Sequence, residues 1–156
     1  MRKLVAILVT MTLIAIGGVA IAATVTSNFN VIANAVGNCR ITTAASTVDF
    51  GTYDPTDTNP DNDGSGSVQF RCTKGTTYWT YITGVRQMSG GAEILNFELY
   101  SDAARTTIYP NAVVGGGTSS PNNTPQVIFY YGQIPPMQDV TAGQAFSQNL
   151  TFTVEY

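Results

Sequence analysis

The residues best equipped for chemistry are two cysteines, Cys39 and Cys72, and ten carboxylates; histidine is absent. Without an imidazole, Ser-His and Cys-His nucleophiles cannot be built, and histidine metal sites fall with them. The cysteines lack CxxC spacing and a neighbouring base that would lower a thiol pKa, so a reactive pair is disfavoured and a single Cys39–Cys72 disulfide is expected. Closing a loop of about 34 residues, it would stabilise the fold by roughly 3 to 4 kcal/mol. Glu93 with Glu98 or Asp102 could in principle form an acid/base pair, but carboxylates near strand ends are usually solvated surface groups. No catalytic residue is assigned, and the chain is not expected to be an enzyme.

Three other stretches invite a ligand. Asn59-Pro60-Asp61-Asn62-Asp63-Gly64 echoes the opening of a calcium loop, yet Phe70 stands where the twelfth position demands a bidentate acid, and the same residue types make ordinary turns. Trp79 and Tyr81 share one strand parity and Tyr78 takes the other, so at least one set belongs to a core rather than to a sugar platform. Gly115-Gly116-Gly117 lacks the lysine and helix of a phosphate loop. No metal and no cofactor are assigned.

The elements that must carry these residues are strands. After residue 23 no helical stripe appears; alternating apolar runs are separated by Gly, Pro, Asn and Asp clusters. Val48 and Phe50 begin the series. Val68, Phe70 and Cys72 share a parity that buries the disulfide, followed by Tyr78 to Ile82, by Leu95, Phe97 and Leu99, by Val127 to Tyr131, and by Leu150, Phe152, Val154 and Tyr156. The loop VVGGGTSSPNNTP is expected to be mobile. About seven strands in one domain predict an all-β, immunoglobulin-like antiparallel sandwich, with a small barrel as the alternative.

Ahead of these runs, Arg2 and Lys3 precede an apolar stretch from Leu4 to Ile16, and Ala20-Ile21-Ala22 offers a small-residue cleavage site. Residues 1–22 therefore read as a removed export signal, too short in apolar length to span a bilayer, which needs about 20 residues. Loss of Arg2 and Lys3 leaves five basic residues against ten acidic ones, a net charge of about −5. Nothing basic is clustered for phosphates, so no nucleic-acid partner is expected.

Residues 23–36 form a separate segment. Val25, Phe29, Val31, Ala33 and Ala35 put apolar side chains on one parity, with Ser27 interrupting and Thr and Asn mostly opposite. At about 3.3 Å per residue, Val25 to Ala35 reaches roughly 36 Å, the length of a sandwich. Burying Val25, Phe29 and Val31 would contribute about 5 to 8 kcal/mol. Alternation alone does not say whether this strand fills its own sheet or another chain's.

Several blocks carry a family likeness. Cys39-Arg40-Ile41, Phe50-Gly51-Thr52-Tyr53-Asp54-Pro55, Phe70-Arg71-Cys72-Thr73-Lys74-Gly75, Leu99-Tyr100-Ser101-Asp102, Tyr131-Gly132-Gln133-Ile134-Pro135 with Gln138, and Gly143 through Tyr156 occur in an order that resembles the spore coat protein U domain family, which includes subunits of archaic chaperone/usher pili. The chain departs from the family at Ile108-Tyr109-Pro110-Asn111, where a Trp-Gly pair is usual, and at Pro136. The resemblance implies residues 37–156 as an incomplete immunoglobulin-like domain completed by a donor strand. In that scheme residues 23–36 are the donor, passed head to tail between identical subunits by way of a periplasmic chaperone and an outer-membrane usher. Val25, Phe29, Val31, Ala33 and Ala35 would be the polymerisation contact. The function so implied is a secreted pilus subunit supporting adhesion and biofilm formation; a self-assembling spore or cell-surface coat protein and a carbohydrate-binding adhesin are the alternatives.

Overall fold

A computed structural model describes residues 23–156, in two units, one up to Asn34 and the other Ala35–Tyr156. The expected export signal, residues 1–22, lies outside the described residues. The described part of the first unit has no regular secondary structure, and its apolar side chains are exposed, Phe29 at 85%. The alternating run from Thr24 thus forms no strand here; alternation chooses a face, whereas a strand also needs a ladder partner.

The second unit is all β, with antiparallel pairing throughout and no helix among the described residues, an immunoglobulin-like sandwich. One sheet has β1 (Cys39–Thr43), β2 (Ser65–Cys72), β8 (Gln126–Gln133) and β6 (Glu98–Tyr100) in that order; a second has β7 (Thr118–Ser119), β3 (Thr77–Thr83) and β9 (Thr151–Glu155). β4 (Gln87–Gly90) and β5 (Glu93–Asn96) pair as a hairpin that the sequence reading did not foresee, since Met88 is the sole large apolar residue of β4. The expected strand at Val48 and Phe50 is not a regular one: both side chains are half-buried, and Ser46 N–H donating to Ser67 O, 2.9 Å, keeps this segment beside β2.

Between the sheets the predicted parities hold. Val68, Phe70 and Cys72 on β2 are buried, as are Tyr78 and Ile82 on β3 and Leu95, Phe97 and Leu99 across β5 and β6. Phe70 meets Tyr78 edge-on with ring centroids 5.0 Å apart, an arrangement favoured by the ring quadrupoles. Cys39 and Cys72 are direct cross-strand neighbours of β1 and β2, bonded as expected, and they pack in the Phe70–Tyr78 cluster. The loop expected to be mobile is tied down through Ser120, which is buried and exchanges backbone hydrogen bonds with the Gly75–Thr76 turn.

Candidate functional site

β9 is hydrogen-bonded to β3 along one edge, and β1 to β2. Among the described residues no backbone hydrogen bond joins residues 39–50 to residues 147–156. The two edges are linked at one end of the sandwich, where Tyr156 Oη lies 3.2 Å from Asn38 Oδ1. Away from that end, residues 45–50 after β1 and residues 148–152 leading into β9 bound a cleft with an apolar base.

The cleft has two lobes. The first, about 320 Å³, is walled by Val48 and Phe50 on one side and Leu150 and Phe152 on the other, with Ile82, Phe97, Leu99 and Tyr130 at its base. The second, about 450 Å³, continues past Val48, Phe50 and Met88, which both lobes share, toward Tyr53, Val140 and Phe146. The base of the cleft is therefore the core itself: Ile82, Phe97, Leu99 and Tyr130 belong to one buried cluster, and Val48, Phe50, Met88, Leu150 and Phe152 pack half-buried against it. Leu150, Phe152 and Val154 keep the predicted parity of the last strand; Leu150 and Phe152 remain partly accessible because they line this opening, while Val154 packs half-buried against the Phe70–Tyr78 cluster. Met88, Val140 and Phe146 are lining residues that sequence reasoning missed, for want of an alternating run around them.

Local chemistry explains how the walls are held. Tyr130 spans the inner face of its sheet, its hydroxyl 2.6 Å from Ser46 O and 3.2 Å from Ser67 O, which fixes the segment that carries Val48 and Phe50. Burial is the main reason its phenol pKa lies above the ordinary 10.0, offset by hydrogen bonding to Ser46. Gly64 and Gly132 let Phe50 lie on the backbone, since a Cβ at Gly132 would stand 2.4 Å from Phe50 Cζ. At the far lobe, Tyr53 Oη donates to Pro135 O, 3.1 Å, and accepts from Gln138 N–H, 3.0 Å. Gln138 then clasps Asn96 in β5: its Oε1 accepts from Asn96 N–H, 2.7 Å, and its Nε2 donates to Asn96 O, 2.8 Å.

The residues weighed for other chemistry are engaged elsewhere. Glu93 accepts both the N–H and the hydroxyl of Thr141, at 2.8 and 2.5 Å, and these bonds lower its pKa. Glu98 pairs with Arg86 at 3.3 Å, and Asp102 caps the Thr106–Thr107 turn, so the structure gives these carboxylates three separate partners rather than one another. In the calcium-like stretch, Asp57 accepts from Asn59 N–H and Asp61 from Asp63 N–H, which is turn chemistry; no metal-holding cluster of acids occurs among the described residues. Tyr78 is buried while Trp79 and Tyr81 lie half-buried on the other face, as alternation predicts, and Trp79 Nε1 donates to Gly115 O, 3.0 Å.

A sandwich with this block order has relatives. The family model described as the Spore Coat Protein U domain matches residues 25–153. The chain belongs to the spore coat protein U domain family. "Protein U" of Myxococcus xanthus is 30% identical to it over 159 aligned residues, covering 86% of this chain and 87% of that protein. Membership makes this spore coat protein U domain a surface protein of the coat or pilus type. The family's blocks also gain physical roles here: Cys39 and Cys72 are the disulfide, Phe50 and Tyr53 hold the cleft, Gly132 accommodates Phe50, and Gln138 is the clasp on β5.

Proposed function

We propose that this protein is a structural subunit of an extracellular pilus, in which residues 23–36 of one copy enter the apolar cleft of the next as a donated strand. The observation that carries this reading is the cleft: core side chains form its base, and residues 45–50, which follow β1, face residues 148–152, which lead into β9, with no backbone hydrogen bond between them. An added strand would supply ladder partners along both edges and seat alternate side chains on the core. Val25, Phe29 and Val31 are exposed in the described chain and have the right parity to be those side chains. Donation head to tail does not close, so it generates a filament.

Export through a periplasmic chaperone and an outer-membrane usher fits this scheme, because a subunit with an open apolar cleft needs a temporary strand before its neighbour arrives. Adhesion and biofilm formation would follow from the fibre as a whole. A self-assembling coat is the second reading, favoured by the likeness to "Protein U" and by the family's description; it uses the same cleft and differs in where the polymer is laid down. The test is electron microscopy with light scattering on residues 23–156 and on residues 37–156. Filaments from the first and chaperone- or peptide-bound monomers from the second are expected, and equal filament formation by both would refute strand donation.

A further inference from the structure

The cations of the sandwich are unevenly placed. Arg40 and Arg71 are direct cross-strand partners at the disulfide end of β1 and β2, and exposed Lys74 follows in the adjoining turn. Like charges directly opposite one another on a sheet are destabilising. No carboxylate lies within ion-pair distance of any of the three among the described residues, where Arg86–Glu98 is the ion pair formed. Glu155, toward the same end but on the other sheet, is engaged by Tyr81 Oη at 2.9 Å.

The opposite end is acidic. β2 starts there, and the loop leading into it carries Asp54, Asp57, Asp61 and Asp63, with Asp61 bridged to Ile134 beyond β8. Asp49 borders the far lobe of the cleft. Two cations share this end, Arg86, paired with Glu98, and Arg105, its guanidinium held on the carbonyl oxygens of Gly132, Ala103 and Asn62. The domain is thus polar along β2, positive at Cys72 and negative at Ser65.

From this polarity we infer that the Arg40–Arg71–Lys74 end of one copy docks against the Asp54–Asp63 end of a second copy, an electrostatic contact separate from the apolar cleft. The inference rests on the head-to-tail assembly proposed above. The chain enters β1 through Asn38, at the cationic end, whereas the far lobe of the cleft is bordered by Asp49 and by Tyr53 and Pro55, which flank Asp54. A donated strand whose last residues lie at that mouth therefore brings its own cationic end to the neighbour's acidic end. Complementary ends relieve the Arg40–Arg71 repulsion, steer the encounter and disfavour cationic-to-cationic joining. Exposed charges of this kind act over about 10 Å at 0.1 M salt, so the contribution weakens as salt rises.

The experiment follows polymerisation of residues 23–156 by light scattering at low and high salt, with two charge-reversed variants: Arg40→Glu with Arg71→Glu, and Asp57→Lys with Asp63→Lys. Melting curves and disulfide content establish that each is folded. Each variant alone should polymerise about tenfold more slowly at low salt, and an equimolar mixture should recover the rate by forming alternating polymers. Unchanged rates in both variants, or a loss that mixing does not restore in folded protein, would overturn the inference. So would an Arg40→Glu, Arg71→Glu chain that polymerises normally but no longer binds a heparin column, since the cations would then serve an anionic glycan. Failure of the unaltered chain to polymerise would instead count against strand donation itself.

Discussion

Gly132 and Phe50 are in such close register that a methyl group on the first would stand 2.4 Å from the ring of the second. Phe50 forms one wall of the cleft and meets Phe97 edge-on with centroids 6.4 Å apart, so a single hydrogen on Gly132 allows β8 to support the cleft at its base. Gly132→Ala should push the ring outward at an overpacking cost of about 1 to 3 kcal/mol. Urea unfolding of residues 23–156 would read that loss, and filament yield should fall with it because the cleft wall has moved.

Gln138 holds the segment 135–138 on β5 through both ends of its amide. Gln138→Ala removes an acceptor for Asn96 N–H and a donor to Asn96 O, and about 1 to 3 kcal/mol of stability should go with them. Gln138→Glu keeps the acceptor but turns a carboxylate oxygen toward the carbonyls of Asn96 and Pro135, so its loss at neutral pH should be at least as large as that of Ala. Denaturant titration of the three proteins checks the assignment; a Glu variant as stable as the native chain would mean the donor bonds do not carry the clasp.

Asp102 links stability to pH. Backbone N–H donation from Thr106 and then Thr107 holds its pKa below the ordinary 3.8. A carboxyl whose pKa is lowered by folding contributes stability that is complete above the unfolded value and is lost as pH falls through the folded one. Glu93, lowered from 4.5 chiefly by the Thr141 hydroxyl, acts in the same direction. Melting temperature should therefore decline below about pH 4, and Asp102→Asn should flatten that part of the curve while leaving its neutral-pH shape unchanged.

Phe29 has the largest side chain on the donor parity. Phe29→Asp would place a carboxylate in the apolar cleft of a neighbouring copy, where an unpaired charge is strongly disfavoured. We expect filaments to disappear while the melting temperature of the monomer stays the same. Thr26→Asp, on the other parity, should leave assembly largely intact. If both substitutions act alike, the parity assignment is wrong.

Much of the sandwich was legible in the residues alone. Two-residue alternation identified the buried face of β2 and set Tyr78 apart from Trp79 and Tyr81 on β3, because each side chain's face in a strand follows from backbone geometry without knowledge of the partner. The Cys39–Cys72 bond was legible too, from an even cysteine count together with the expectation of export. Met88 and the β4–β5 hairpin were not legible, since one apolar side chain between Gln87 and Ser89 makes no pattern. Nor was the failure of Val48 and Phe50 to form a regular strand, which depends on where Tyr130 and Ser67 hold Ser46.

Residue order alone establishes which side chains are apolar, which parity they share along each run, and that no histidine chemistry is possible. Only the packed fold shows that Leu150 and Phe152 line an opening instead of closing a core, and that three of the cations gather at one end of the sheet. Both are questions of which strand lies beside which. Alternation is a property of one strand, whereas an unpaired edge or a charged end exists only once distant strands have taken their places.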